Sequence, residues 1–507
     1  MSGQSKMPKY PRTYWREIDL PQFGKLNEDI SVDVAIVGAG MTGITTAYLL
    51  TQQGKRVAII EAGSVLNGTT GHTTAKITAQ HGLLYDELIN HFGEDNAKLY
   101  YESHADALGF IRRTVNEQGI DCDFSDQDAV MYATTEEYQT KLETEMEAYQ
   151  KLGIPGELRG SIPFDIEVKN ALVMPGQAQF HPLKYLRALL KKAVDAGCMV
   201  YENTTAKDIT VEGGTVVHTK EDRKISCGHA VIASHWPFFD KRGLYFARMY
   251  ATRSYAIGVK SEKEYPGGMY ISADSPSRSI RYTPVDGENL LIIGGENHRT
   301  GTGKDTLEHY EALEKWTEQV FGIHDYSYRW SAQDLETLDK LPYIGPLKDD
   351  EENILVATGY KKWGMTTSTL AGHILTDYIL NRESPYKALY HPSRFEMDPA
   401  LKKAAKFNLE VAGHFVKGKL EYIPKDPDDL KVGEGGVVLV NGKRAGGYKD
   451  ETGKLYLVDT TCTHLGCECE WNHAEKTWDC PCHGSRFSYG GSVVEGPAVE
   501  DLKKLEG

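Results

Sequence analysis

Near its C-terminal end the chain reads Cys462-Thr-His464-Leu-Gly466-Cys467 and, twelve residues on, Cys480-Pro-Cys482-His483. Two Cys-plus-His pairs at this spacing suit a [2Fe–2S] cluster, with thiolates on one iron and imidazoles on the other. Replacing two thiolates by neutral imidazoles removes negative charge and makes the reduced state easier to reach. Zinc is the rival for such a ligand set. However, Cys-x-His and Cys-x-x-His pairs, with Gly466, Pro481 and Gly484 in their loops, fit zinc-finger spacing poorly. The pattern marks an electron carrier.

The rest of the chain is long enough for further domains, with 507 residues and 40% hydrophobic content. A net charge of −15 argues against a nucleic-acid partner, because phosphate binding needs a basic surface. No apolar run approaches the ~20 residues of a membrane span. The polar start at Met1 lacks the apolar stretch of a secretory signal, so a cytoplasmic location is expected. Of eight cysteines, five fall between 462 and 482, which points to metal rather than a disulfide scaffold. The scattered Cys122, Cys198 and Cys227 read as buried, inert thiols.

Residues 1–30 carry no clear period and read as a surface-packed lead-in. Ser31 to Val37 then reads as a buried strand, Gly38-Ala-Gly40-Met-Thr-Gly43 as its turn and Ile44 to Gln53 as a helix. A second strand, Arg56 to Ile60, has Glu61 at its end, eighteen residues after Gly43. In such a βαβ unit Gly38 makes the tight turn and Gly40 lets the backbone approach a pyrophosphate. Gly43 permits close helix–strand packing, and Glu61 accepts from the ribose hydroxyls. Helical periods recur at 84–92, 95–118, 136–152, 182–196, 305–321 and 366–381, with alternating strands at Tyr250–Val259, Ser279–Thr283 and Leu290–Gly294. The expected architecture is an α/β Rossmann-type dinucleotide-binding domain with an antiparallel substrate sheet, over 31–400. An amphipathic linker helix spans 401–420, basic on one face and open to peripheral membrane contact. Gly-rich short strands form a small all-β domain over 421–507.

Several stretches resemble the D-amino-acid oxidase/glycine oxidase family of FAD enzymes over roughly residues 30–380. They include Glu61-Ala-Gly63, Gly68-Thr-Thr-Gly-His72 and Asp286-Gly287. Further along are Trp330 to Gly345 and Asn353 to Met365, with Gly359 and Gly364. The resemblance implies FAD, with Thr70, His72, Gly359, Lys362, Gly364 and Met365 around it and a helix N-terminus facing the flavin's pyrimidine end. Relatives of the dimethylglycine dehydrogenase type attach flavin covalently at a histidine set like His72; a non-covalent His72 is the expectation here. The family oxidises a C–N bond of an amine or amino acid by hydride transfer to flavin. Where its α-amino-acid oxidases carry an arginine for the substrate carboxylate, this chain has Asp334, which suits an ammonium group. His72, Asp334 and Lys362 are thus the candidate catalytic residues. Arg281 and Tyr282 read either as pocket-lining or as strand-end residues.

The C-terminal stretch, over about 420–507, resembles the disulfide-containing Rieske ferredoxin domains of cytochrome bc₁ and b₆f complexes. The resemblance assigns Cys462 and Cys480 to one iron, His464 and His483 to the other, and a disulfide to Cys467 and Cys482. It leaves Cys469 as a bystander or a competitor for the bridge. Ser485 is expected to donate to a bridging sulfide. Phe487 stands where high-potential members have a tyrosine donor, so a potential in the middle or lower part of the ~−150 to +300 mV Rieske span is expected. The whole reads as an FAD- and cluster-dependent oxidoreductase. It takes electrons from a small amine or amino acid and passes them singly through the cluster to a redox protein or quinone. The alternatives are an oxidase using O₂ with a structural or regulatory cluster, and a non-catalytic electron-transfer or redox-sensing protein.

Overall fold

A computed structural model describes residues 7–240, 243–261, 263–394 and 426–506. The helix expected over 401–420, and with it the domain boundaries at 400 and 421, lie outside the described residues.

Val34–Val37 and Val57–Ile60 are buried at every position, the pattern of strands covered on both faces. They form the centre of a six-stranded sheet. Its order is Tyr343–Pro346, Ile354–Thr358, His229–Ile232, Val34–Val37, Val57–Ile60, Met199–Tyr201. All pairings are parallel except the first. Helix Met41–Thr51 connects the two central strands and packs against helices Gly364–Ile379 and Pro182–Asp195. A Cβ on Gly372 would lie 2.7 Å from Thr45 Cγ2, so the two helices approach closely there.

A second, nine-stranded sheet runs from Ile323–Thr337 through Met249–Ser261, Glu288–Arg299 and Arg278–Val285 to the Ser125–Ala133/Asn170–Gln179 pair. Its long ladders are antiparallel, as expected of the substrate sheet. The helical stretches expected at 84–92 and 95–118 are both present within Tyr85–Gln118. The break expected between 92 and 95 falls at Gly93, which leaves helical geometry with φ 81°, a conformation open to glycine. The lead-in is less superficial than its composition suggests. Trp15 is fully buried in the main core and its indole N–H donates to Thr73 O at 2.7 Å.

Residues 426–506 form the small all-β unit: a three-stranded sheet over Gly435–Val458 and a four-stranded one over Glu470–Glu495. Trp478, Phe487 and the cysteines make its core. This unit sits against the end of the substrate sheet. Arg253, 1% exposed, lies 3.2 Å from Glu495 and 3.8 Å from Asp479, and Arg486 bonds the same two carboxylates at 2.9 and 3.2 Å. The amide of Gln333 donates to Gly484 O at 2.9 Å and accepts from Thr300 Oγ1 at 2.9 Å. A Cβ at Gly484 would lie 2.4 Å from that of Ala251, so the cluster-side loop rests directly on the sheet.

Candidate active site and cluster site

A cavity of about 720 Å³ runs between the six-stranded sheet and the substrate sheet. Its floor is the glycine turn. Gly38 has φ 111°, and a Cβ there would meet Ala233 O at 2.5 Å; one on Gly43 would meet Gly38 O at 2.0 Å. Gly38 and Gly40 line the cavity, whereas Gly43 lies beneath it and serves the helix–strand contact. Glu61 closes one end, its carboxylate accepting from Ala39 N (2.9 Å) and Gly63 N (3.0 Å). Burial nevertheless raises its pKa above the ordinary carboxylate value.

Helices Met41–Thr51 and Gly364–Ile379 both begin at this cavity, and neither N-cap residue, Gly40 or Trp363, caps its helix with a side chain. The positive dipole ends of both helices therefore face the space where a dinucleotide's electron-rich groups would lie. Among the residues assigned by resemblance, Thr70, His72, Asp334, Gly359, Lys362, Gly364 and Met365 all line it. Thr70 Oγ1 accepts from Met41 N at 3.2 Å, tying the 68–72 turn to the first helix. His72 Nδ1 lies 2.9 Å from Gly68 O, and burial lowers its pKa. The ring is thus neutral, with Nδ1 as donor and Nε2 left as acceptor. Gly359 holds φ 79° against Thr337, which aims the following loop into the cavity.

Asp334 lies on the substrate-sheet edge. Burial pushes its carboxyl up to about 6, while Lys362, through its ammonium and backbone N–H, pulls the other way. Lys362 itself is lowered by burial and opposed by Glu336 and Asp334, so two carboxylates face one ammonium at this spot. Arg281 is fully buried and donates to the carbonyls of Ala75 and Phe180, which places it in packing and not on the cavity. Sequence reasoning missed Lys76. It lines the cavity, contacts Ser279 Oγ and is pushed down to about 7 by burial, then by Arg281. No spacing singles it out.

In the C-terminal unit the two motif loops are built alike. Cys462 N donates to Cys467 O and Gly466 N to Cys462 O, at 2.7 and 2.9 Å. Cys480 N donates to Ser485 O and Gly484 N to Cys480 O, at 2.8 and 3.0 Å. Gly466 and Gly484, each four residues after the first cysteine, have φ 79° and 80°. A Cys467–Cys482 disulfide joins the loops, with Cα atoms 6.5 Å apart. It leaves Cys469 outside the bridge. The Sγ atoms of Cys462 and Cys480 lie within 4.8 Å of each other, and the rings of His464 and His483 are 5.1 Å apart. His464 Nδ1 is buried with no hydrogen-bond partner, and burial lowers both imidazoles, His483 to about 3. Two thiols beside two neutral rings, one with an orphaned nitrogen, fit a Rieske cluster.

The histidines face the flavin-binding part. The His483 ring is 6.2 Å from that of Trp236 and 5.9 Å from Phe246, and Trp236 lines the 720 Å³ cavity. Residues Val493 to Pro497 of the cluster unit line that cavity too.

Comparison with known proteins agrees with this geometry. The family described as FAD dependent oxidoreductase matches residues 33–378, and the Rieske [2Fe-2S] domain matches 416–506. A Bacillus subtilis (strain 168) protein, provisionally named Rieske 2Fe-2S iron-sulfur protein YhfW, is 51% identical over the full length of both chains. Gamma-glutamylputrescine oxidoreductase of Escherichia coli (strain K12) is 23% identical over 70% of this chain and 85% of its own. The crystal structure of glycine oxidase from Geobacillus kaustophilus superposes with TM-score 0.61 at 22% identity, covering 72% of this chain and 99% of that one. No helix among the described residues is long and apolar enough to cross a membrane.

Proposed function

The chain belongs to the family of FAD dependent oxidoreductases and carries a Rieske [2Fe-2S] domain, and from that premise we propose that it oxidises a C–N bond of a cationic amine and delivers the electrons to an external one-electron acceptor. Bound FAD supplies a two-electron acceptor and the cluster a one-electron carrier. In this reading Gly38, Gly40, Glu61 and the two helix N-termini hold the dinucleotide. Cys462 and Cys480 hold one iron, and His464 and His483 the other.

The observation that carries the reading is the position of Trp236, which lines the dinucleotide cavity and touches His483. The substrate class rests on Asp334. A carboxylate in the cavity, with Glu336 near it and Lys362 as the facing cation, favours an added ammonium group over an added carboxylate. The names of two relatives, gamma-glutamylputrescine oxidoreductase and glycine oxidase, also point to amines. Lys362 holds Asp334 in place, and His72 offers an unprotonated Nε2.

Anaerobic stopped-flow mixing with a panel of polyamines, secondary amines and amino acids tests this. The expected result is flavin bleaching by a cationic amine, followed by the absorbance change of cluster reduction. Bleaching with no response from the cluster overturns the relay. Asp334→Asn is expected to raise KM for the cationic substrate by about 2 kcal/mol or more in binding. Because the Asp334 pKa is raised to about 6, the carboxylate is charged above that pH and neutral below it. Wild-type affinity should therefore weaken as pH falls through about 6, and the Asn variant should show no such step.

A further inference from the structure

Three buried sulfurs converge where the resemblance assigns two. The Sγ atoms of Cys462, Cys469 and Cys480 all lie within 4.8 Å of one another. Cys469 is 0% exposed, and the Cys467–Cys482 bridge leaves it a free thiol. Its backbone is fixed from both sides: Cys469 N donates to Thr460 O at 2.9 Å, and Arg444 donates to Cys469 O at 3.1 Å. An isolated Thr461–Glu468 bridge closes the turn that carries it. So held, the Cys469 sulfur stands within 4.8 Å of both the Cys462 and the Cys480 sulfur.

The other donors near these sulfurs are few. Phe487 is fully buried and its ring offers none. Ser485 Oγ accepts from Ala498 N at 3.0 Å, which leaves its own hydrogen free to donate. A thiol is a weak donor, but in a dry interior a weak donor aimed at a charged sulfur gains strength.

We propose that Cys469 donates its S–H to the ligand sulfurs Cys462 and Cys480 and thereby raises the reduction potential of the cluster. Reduction adds an electron that spreads onto the sulfurs, so a donor to a ligand sulfur stabilises the reduced state more than the oxidised one. Cys469 is not itself a ligand. Two cysteines and two histidines fill the four protein positions, and a third thiolate would have to displace a ring that already stands beside its partner. The role rests on the ligand assignment above.

The test is a redox titration followed by EPR on the full-length protein carrying both cofactors, with iron content measured alongside. Cys469→Ala is expected to keep the rhombic signal and the iron, while the equilibrium constant for reduction falls about tenfold, equivalent to 59 mV for a one-electron couple. Cys469→Ser, which retains a donor, should recover most of that shift. An alanine variant titrating with the wild type overturns the role. Loss of iron, or a changed signal shape, in both variants also overturns it and makes Cys469 a ligand. Wild-type protein without a rhombic signal overturns the ligand assignment and this role with it.

Discussion

Replacing Arg253 by leucine is expected to leave flavin and cluster bound but to slow electron transfer between them by on the order of a hundredfold. Arg253 comes from the substrate sheet, is buried, and bonds Ser331 Oγ at 2.7 Å as well as Glu495 of the cluster unit at 3.2 Å. Removing it leaves Arg486 as the one cation among the described residues bonded to both Asp479, 4% exposed, and Glu495, 22% exposed. Breaking a buried pair on one side costs about 3–5 kcal/mol, and about 3 kcal/mol of docking is two decades in the docked population. Stopped-flow should show flavin bleaching by substrate at its wild-type rate and a lagging cluster. Arg253→Lys, which keeps the charge but loses the fork, should fall between the two. A leucine variant with unchanged transfer would mean that other contacts hold the interface.

The pH dependence of docking follows from the same groups. Burial alone would raise Asp479 and Glu495, but Arg486 and Arg253 outweigh it and hold both below the ordinary carboxylate range. Groups depressed on folding stabilise above their unfolded pKa and cease to do so as pH falls through the folded one. Docking should therefore persist through neutral and mildly acidic pH and fail only below the usual carboxylate range.

Local patterns carried most of what could be read from the chain. Val34–Val37, the glycine turn and Glu61 are neighbours in sequence, so their joint geometry follows from one βαβ unit. The helices at 136–152 and 305–321 show in their period because one face of each is buried. The C-terminal motif is equally compact. Lys76 had no such signal, since its place in the cavity depends on Ser279 and Arg281, two hundred residues away in the substrate sheet. Arg253 was invisible for the same reason: an isolated arginine in an alternating strand reads as exposed until Asp479 and Glu495 arrive from another domain. Trp15 was misread because aromatic residues in an aperiodic lead-in give no hint of the groove that receives them. Cys469 shows the limit of motif reasoning. Its spacing places it outside the ligand pattern, and only the fold brings its sulfur to the other two.

Cys467→Ser combined with Cys482→Ser is expected to abolish cluster assembly while leaving FAD bound. Each ligand loop is closed by its own backbone hydrogen bonds and keeps its shape without the disulfide. What the bond sets is the distance between the loops. In the proposed assignment each iron takes one ligand from each loop, Cys462 with Cys480 and His464 with His483, so opening the bridge separates both pairs at once. The bridge also closes a sequence separation of 15 residues, for which chain entropy gives about 3 kcal/mol. Purified double variant should show flavin absorbance, little iron and no rhombic EPR signal, with a lowered melting transition for the cluster unit. Both cysteines are nearly inaccessible, at 3% and 1% exposure, so mild thiol treatment of wild-type protein should leave the cluster in place. A double-serine protein with full iron and a wild-type melt would show that the docked interface, through Gly484 and Gln333, sets the loop spacing instead.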